Sequence, residues 1–187
     1  MYTASDLRKG IRLKIDGEPY IVTEFNFVKP GKGQALYRTK LKNMITGAQF
    51  ERTFRSVDNF ESADLQEKKM QYLYQDGNGY CFMDNQTYDQ LYLTADQVGD
   101  AKNFLIENLE VQILLFEDKP LDLSLPNFVD LKIVAAEPWA KGDSVTGNQK
   151  PVKLETGYQI QVPSFVEEGD KIRVDTRNGE YLARVKD

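Results

Sequence analysis

Short stretches in which apolar and polar residues alternate make up most of this chain, and turn-forming residues separate them. In the first third these stretches are 11–15, 20–28, 34–43 and 49–55, with Asp16-Gly17 and Thr46-Gly47 between them. Alternation with a period of two predicts strands with one buried face, and Asp-Gly between two such strands predicts a tight hairpin. Residues 1–64 are therefore predicted to form a small antiparallel barrel.

The same pattern recurs in two further sets. Strands are predicted at 70–75, 80–84, 88–93, 110–117 and 121–125, and then at 128–136, 158–162, 171–175 and 180–185. Asp100 is predicted to cap a short helix over 101–108, and Pro126-Asn127 marks a joint between the two sets. We therefore predict an all-β protein of three small β-barrels in series, with domains at 1–64, 65–127 and 128–187.

The turn between the predicted strands 20–28 and 34–43 is predicted to present one lysine at the tip of a hairpin. The turn consists of Lys29, Pro30, Gly31, Lys32 and Gly33. The proline fixes its own φ and favours an extended residue before it, while the two glycines can adopt the positive φ that tight turns require. Lys32, between the two glycines, is therefore predicted to point into solvent.

The strand that returns from this tip is predicted to carry a basic stripe. Its alternation places one set of residues, Arg38, Lys40 and Lys42, on one face, and the other set, Tyr37, Thr39 and Leu41, on the opposite face. A purely structural alternative is a solvated basic edge that discourages pairing with another sheet. Nearby aromatic residues, namely Phe25, Phe27, Phe50 and Phe54, are predicted to be barrel core because they are spaced two or four apart.

Charge is unevenly distributed along the chain, which has a net charge of −5. Residues 1–64 contain 11 basic against 8 acidic residues, 65–127 contain 4 against 11, and 128–187 contain 9 against 10. Within the first third, 29–55 contains seven basic residues and Glu51 as its one acidic residue. An acidic chain is a poor general nucleic-acid binder, but a compact basic end can neutralise phosphates and orient their approach.

The composition argues against catalysis. There is no histidine, which excludes Ser-His-Asp and Cys-His nucleophile systems and His-containing zinc sites, and Cys81 is the one cysteine. No phosphate-cradling signature is present, because Gly31-Lys32-Gly33 is not followed by a predicted helix. We therefore expect no enzyme activity, no catalytic residue, no metal and no bound cofactor.

The ends and the loops of the chain carry two further expectations. The N-terminus has no apolar run of signal-peptide length, so we expect a soluble, cytoplasmic protein without a membrane segment.

Residues 138–157 have no hydrophobic period and contain two prolines and three glycines. A loop of this length in a compact domain is usually functional or mobile, so 138–157 is a second candidate binding element.

Four motifs in order along the chain resemble signatures of the bacterial translation elongation factor P family. They are Lys29-Pro30-Gly31-Lys32-Gly33-Gln34-Ala35, Pro126-Asn127-Phe128-Val129, Lys141-Gly142-Asp143-Ser144 and Val174-Asp175-Thr176-Arg177-Asn178-Gly179-Glu180-Tyr181. The resemblance runs from end to end. It implies an N-terminal KOW/SH3-like barrel followed by two OB-type barrels, in an L shape similar to that of tRNA.

The same resemblance implies a function. The family consists of non-catalytic factors that bind the ribosome beside the peptidyl-tRNA and promote peptide-bond formation at consecutive prolines. The implied partners are ribosomal RNA, the peptidyl-tRNA and a lysine-modifying ligase, and we expect a monomer that acts without a membrane.

Site residues also follow from the resemblance. Lys32 matches the modified residue, which reaches toward the peptidyl-transferase centre and, in lysine-bearing members, commonly carries a β-lysyl group. Phosphate contacts along the tRNA acceptor arm would come from Lys29, Arg38, Lys40 and Lys42. The exit-site codon or the tRNA elbow would be contacted by Gly142, Asp143, Ser144 and Gly147. The serine stands where the family commonly has threonine.

Three other interpretations remain open from the sequence. A general RNA-binding OB-fold module would bind isolated single strands in a salt-dependent way, without a ribosome. A sugar- or nucleotide-processing enzyme would need two carboxylates that converge in one cleft. The specialised paralogue branch of the same family is closer, although its tip loop generally departs from this lysine pattern.

Overall fold

The computed structural model describes residues 1–137 and 148–186, and its regular structure is almost entirely β. The strands in these ranges are β1 (Tyr2–Thr3), β2 (Arg12–Ile15), β3 (Glu18–Val28), β4 (Leu36–Asn43), β5 (Gln49–Arg55), β6 (Asn59–Ser62), β7 (Leu65–Asp76), β8 (Gly79–Asp84), β9 (Gln90–Leu93), β10 (Glu110–Phe116), β11 (Lys119–Ser124), β12 (Phe128–Ala136), β13 (Gln149–Leu154), β14 (Gln159–Pro163), β15 (Lys171–Asp175) and β16 (Glu180–Val185). The helical elements there are α1 (Ala95–Val98) and two 3-10 turns, Ala4–Asp6 and Gly99–Asn103.

The described strands form three sheets. Their strand orders are β1-β6-β2-β3-β4-β5, β11-β10-β7-β8-β9 and β14-β13-β12-β15-β16. Strands that are consecutive in the chain pair in an antiparallel manner across hairpins, as in β2–β3, β3–β4, β7–β8 and β15–β16. The predicted all-β class is confirmed.

Residue contacts divide the chain into two compact units. The first contains Met1–Glu67 together with Leu114–Leu121, and the second contains Lys68–Ile113 together with the residues from Asp122 onward. The first unit has its own apolar core, formed by Ala4, Leu7, Leu13, Val22, Leu41, Phe54 and Phe60. The division into domains at 1–64, 65–127 and 128–187 stays a prediction.

The first unit is closed by turns whose backbone matches their sequence. Asp16 and Gly17, between β2 and β3, have φ values of 51° and 84°, which are the left-handed angles of the predicted Asp-Gly hairpin turn.

In the first unit Lys14 donates a hydrogen bond to Glu117, with 2.5 Å between Nζ and Oε1. This hydrogen bond is the main reason why the pKa of Lys14 is raised.

The helix predicted over 101–108 is wrong. The helical segment begins earlier, at Ala95, because Thr94 and Gln97 form a capping box: the Thr94 hydroxyl accepts the Gln97 N–H, and Gln97 Oε1 accepts the Thr94 N–H. The helical segment ends at Asn103, and Asn108, inside the predicted range, has a φ of 70° that is incompatible with a helix. The sequence signal that places this helix is Thr-x-x-Gln, and Asp100 lies inside the 3-10 turn instead of capping a helix.

The irregular loop predicted over 138–157 contains a strand in its second half, β13. Pro151 weakened the strand signal in the sequence, because proline cannot donate a hydrogen bond to a neighbouring strand. Among the described residue pairs, β12 pairs with β13 from Val152 onward, while Pro151 pairs with Gln161 of β14. Residues 138–147 lie outside the described residues.

The second unit contains a core to which two predicted domains contribute. Phe104, from the helical segment, is 5% exposed and packs among the apolar residues of β12 to β15. Its ring meets Tyr158 edge-on, with 5.6 Å between the ring centroids, and the Thr156 hydroxyl donates to the carbonyl of Asn103. Thr176 donates its backbone N–H to the carbonyl of Asn127, in the Pro126-Asn127 joint. The segments on either side of that joint are therefore packed together.

Gly79 should be the glycine that the second sheet tolerates least when it is changed. It has a φ of +121°, and a Cβ built there would lie 2.5 Å from the carbonyl oxygen of Leu93 on β9. We expect Gly79→Ala to lower the free energy of unfolding by roughly 3 kcal/mol, because it adds backbone strain and a clash with another backbone. Urea denaturation followed by circular dichroism measures this change.

Gly77 in the same turn is the matched control. A Cβ at Gly77 would meet nothing within 4 Å. We therefore expect Gly77→Ala to change the free energy of unfolding by less than about 0.5 kcal/mol. Equal effects of the two substitutions would contradict the close approach of β8 and β9 at Gly79.

Candidate functional site

The β3–β4 hairpin is the longest paired element of the first unit. Its register runs from Tyr20 opposite Asn43 to Val28 opposite Leu36, with a shift between Val22 and Glu24. At about 3.3 Å per residue the 11 residues of β3 span roughly 36 Å. The turn therefore lies far from the Tyr20–Asn43 pair at the other end of the hairpin.

The turn exposes its side chains to solvent. Exposed positions there are Lys29, Pro30, Gly31, Lys32, Gly33 and Gln34. No hydrogen bond or ion pair holds the Lys32 amine among residues 1–137 and 148–186. The structure therefore places Lys32 where the sequence predicted it, as an unpartnered primary amine at the end of two strands.

The prediction that the two glycines of the turn supply a positive φ is wrong. Neither Gly31 nor Gly33 adopts a φ in the left-handed region. A Cβ at Gly33 would lie 3.1 Å from Cγ of Pro30, whereas a Cβ at Gly31 would meet nothing within 4 Å. Gly33 is therefore favoured because the Pro30 ring packs over it, and Gly31 lies in open space.

Alternation along β4 separates a buried face from an exposed one, as predicted. Thr39, Leu41 and Asn43 are 3%, 0% and 4% exposed, while Arg38 and Lys42 are exposed. The buried Thr39 hydroxyl donates to the carbonyl of Arg52, with 2.8 Å between the oxygens, so its burial leaves no unsatisfied donor. The basic side chains of β4 consequently share the outer face of the sheet.

The predicted basic stripe is electrostatically uneven. Lys40 is half-buried and faces Glu24 on β3 and Glu51 on β5, and its amine lies 3.3 Å from Glu24 Oε1. Arg38 lies opposite Asn26 and Thr53, which carry no charge. Since no carboxylate in the described part of the chain pairs with Arg38, its guanidinium is more available to an external anion than the Lys40 amine is.

Two further cations line the same part of the barrel: Arg52, which the sequence placed in the basic segment but not in the site, and Lys9, which it missed. A groove of about 940 Å³ is lined by Lys9 and Arg52 together with Arg38 and Lys40. The Arg52 guanidinium lies 5.1 Å from the centroid of the Phe54 ring, which holds it in place. The pairing of β4 with β5 could have placed Arg52 in advance, but no local pattern in the sequence brings Lys9 to this groove.

Two of the aromatic residues that were predicted to be core are less buried than the sequence suggested. Phe54 is 3% exposed and belongs to the core, as predicted, but Phe27 and Phe50 are 47% and 38% exposed. Phe27 packs against Tyr37 across the hairpin, with 5.1 Å between the ring centroids. The core prediction is therefore wrong for Phe27 and Phe50, and Phe27 stiffens the hairpin just before its turn.

The second predicted binding element, 138–157, is described from residue 148 onward, where it contains β13. Its predicted contact residues, Gly142, Asp143, Ser144 and Gly147, lie outside the described residues.

Within the described ranges, no helix has the length and apolar composition needed to cross a bilayer. Across those same ranges, no group of three acidic or thiol side chains is arranged to hold a metal ion.

Three family models match successive parts of the chain. Residues 3–60 match the elongation factor P KOW-like domain, residues 65–123 match the elongation factor P OB domain, and residues 129–184 match the elongation factor P C-terminal domain. Together they cover nearly the whole chain and follow the order of the three sheets.

Curated relatives are similar over their full length. Elongation factor P of Syntrophus aciditrophicus is 76% identical over 186 residues, and elongation factor P of Desulfotalea psychrophila is 57% identical over 186 residues. Both matches cover 100% of this chain and 100% of the relative.

A solved structure supports the fold alone. Eukaryotic translation initiation factor 5A from Methanococcus jannaschii superimposes with a TM-score of 0.57 at 23% identity. The match covers 66% of this chain and 91% of that protein.

Proposed function

The chain belongs to the elongation factor P family of translation factors, and from this membership we propose that it promotes peptide-bond formation at consecutive prolines. In this proposal it binds the ribosome beside the peptidyl-tRNA and extends the β3–β4 hairpin toward the peptidyl-transferase centre. The observation that carries the proposal is the exposed, unpartnered Lys32 at the end of a hairpin with a basic outer face.

The proposed mechanism is positional and needs no catalytic side chain. Proline is a poor acceptor and a poor donor in peptide-bond formation, so the end of the peptidyl-tRNA spends time away from the reactive geometry. A side chain that holds this end lowers the entropic part of the barrier, and each tenfold gain in rate corresponds to about 1.4 kcal/mol. We therefore propose a cytoplasmic, monomeric factor without enzyme activity.

Docking is proposed to use the basic side chains around the hairpin. Phosphates of ribosomal RNA or of the peptidyl-tRNA would contact Lys29, Arg38 and Lys42 on the exposed side of the hairpin. The ion pair of Lys40 with Glu24 reduces its expected share. Lys9 and Arg52 add positive charge to the adjoining groove, whose four basic residues outnumber its two acidic ones, Glu24 and Glu51, so that a phosphate chain could follow it.

Lys32 is proposed to carry a covalent extension of the β-lysyl type. A dedicated ligase would supply the activated acyl group. The deprotonated Lys32 Nζ would attack the acyl carbonyl, and the bond from that carbonyl to the activating group would break. The activating group would leave as Nζ loses one further proton, and an amide bond would result. A primary amine accepts acyl transfer, whereas a guanidinium is a poor nucleophile. The exposure of Lys32 supports this proposal, because a ligase must reach Nζ.

Peptide mapping of protein purified from the native host tests the modification. We expect the peptide that contains Lys32 to carry added mass on Nζ, while the peptide that contains Lys42, an exposed lysine of β4, serves as the internal control and remains unmodified. An unmodified Lys32 in active native protein, or modification at another lysine in its place, would refute this proposal.

A reconstituted translation assay tests the role of Lys32. We expect Lys32→Ala to leave the free energy of unfolding unchanged, since the residue is exposed, and to reduce the acceleration of triproline synthesis roughly tenfold, equivalent to about 1.4 kcal/mol. Proline-poor templates should be translated as before.

Lys29→Ala is the matched control, because it removes a second exposed lysine from the same turn. We expect it to weaken docking modestly and to preserve most of the triproline acceleration at saturating factor. If modified wild-type protein never relieves a triproline pause, the proposed function is wrong.

The salt dependence of ribosome binding separates Arg38 from Lys40. Each phosphate contact contributes a slope of about 0.7 to 0.9 in a plot of log affinity against log salt. We expect Arg38→Gln to reduce the slope by about that amount, and Lys40→Gln to reduce it less because Glu24 already offsets the Lys40 charge. A larger effect of Lys40→Gln would contradict this ranking.

A further inference from the structure

The outer face of the second sheet carries a row of registered side chains, Tyr74 on β7, Cys81 on β8 and Tyr92 on β9. Directly opposed residues share a face of the sheet, so the two tyrosines flank the cysteine. Cys81 is fully buried, while Tyr74 and Tyr92 are 44% and 36% exposed. The two phenol oxygens are 3.2 Å apart, so the two tyrosines hydrogen-bond to each other on either side of the buried cysteine.

A carboxylate completes this arrangement. The Tyr92 hydroxyl donates to Asp76 Oδ2 at 3.3 Å, and Asp76 lies at the exposed end of β7. The hydrogen bond with Tyr74 is the main cause of the raised pKa of Tyr92. The Asp76 carboxylate therefore lies within hydrogen-bonding distance of the tyrosine pair. We call Tyr74, Tyr92 and Asp76 the tyrosine face.

The position of the tyrosine face within the fold indicates binding. The OB domain matches residues 65–123, so β7, β8 and β9 are its first three strands. OB folds commonly bind their ligands on the face formed by the second and third strands. Two half-exposed aromatic rings on this face are therefore placed where a ligand of an OB fold would lie.

The charge around the tyrosine face disfavours the usual OB ligand, a nucleic-acid strand. Residues 70–101 contain five aspartates and no lysine, arginine or glutamate. The nearest lysines of β7, Lys68 and Lys69, already pair with Asp84 and Glu110, so little positive charge is left there to neutralise phosphates. Charge complementarity instead favours a cationic ligand.

We propose that the tyrosine face binds an arginine-containing segment of another protein. A guanidinium is planar, so it can stack on the exposed ring of Tyr74 or Tyr92 while its N–H groups donate to Asp76. Lysine lacks the planar group and should bind less tightly. This inference is independent of the hairpin and of the proposed role of Lys32.

Peptide titration of the full-length protein tests the inference. The probe is a fluorescent peptide of alternating glycine and arginine, compared with the same peptide containing lysine and with a uridine oligonucleotide. We expect the arginine peptide to bind more tightly than the lysine peptide by roughly fivefold, and the oligonucleotide not to compete at this face. Fluorescence anisotropy at two salt concentrations separates this binding from general attraction to an acidic chain.

Matched variants locate the binding site. Tyr74→Leu with Tyr92→Leu, and separately Asp76→Asn, should each weaken binding of the arginine peptide by roughly fivefold. The controls are Tyr88→Leu, which removes a 71% exposed tyrosine, and Asp96→Asn, which removes an exposed aspartate of α1. They should change the affinity by less than about twofold.

Two outcomes overturn the inference. The first is equal binding of the arginine peptide to all variants. The second is a loss of oligonucleotide binding on changing the tyrosines, which would assign the face to nucleic acid. If the double variant fails to fold, NMR of the wild-type protein replaces it. We expect the ring resonances of Tyr74 and Tyr92 to shift when the arginine peptide is added. Unchanged resonances would refute the proposal.

Discussion

The arrangement of this protein depends on one constraint, the two-residue alternation of side chains across strands held in register. In the first unit it places Thr39 and Leu41 in the core and sends Arg38 to the outer face. In the second sheet the same constraint aligns Tyr74 and Tyr92 on either side of a buried thiol. Because a shift of one residue would exchange the two faces, register sets the surface chemistry as firmly as it sets the core.

Much of the fold could be predicted from the sequence wherever alternation is strict and turn residues adjoin it. The bounds of β12, β15 and β16 match the prediction residue for residue, and the exposed position of Lys32 follows from the turn that contains it. Strand alternation is local information, so no distant contact is needed to interpret it. The outer face of β4 could be predicted for the same reason.

Other features were missed for two different reasons. The helix was misplaced for a local reason, because the capping box of Thr94 with Gln97 sets its start and Asp100 does not. The strand β13 was missed because Pro151 weakens the strand signal, and its pairing with β12 and β14 is evident only in the fold. The ion pair of Lys40 with Glu24 and the approach of Lys9 to the groove arise only once strands pair and the barrel closes. Tertiary structure decided which of the predicted cations are free.

The insertion of Phe104 into the core of β12 to β15 has a consequence for folding during synthesis. The ring leaves the ribosome well before the strands that will surround it, so it must wait in solvent or in partial contacts until β15 is made. The contacts that then form join residues far apart in sequence, which slows the final step because chain closure must precede the gain from packing. The core of β12 to β15 can therefore be completed only after β15 has left the ribosome, although Phe104 is made much earlier.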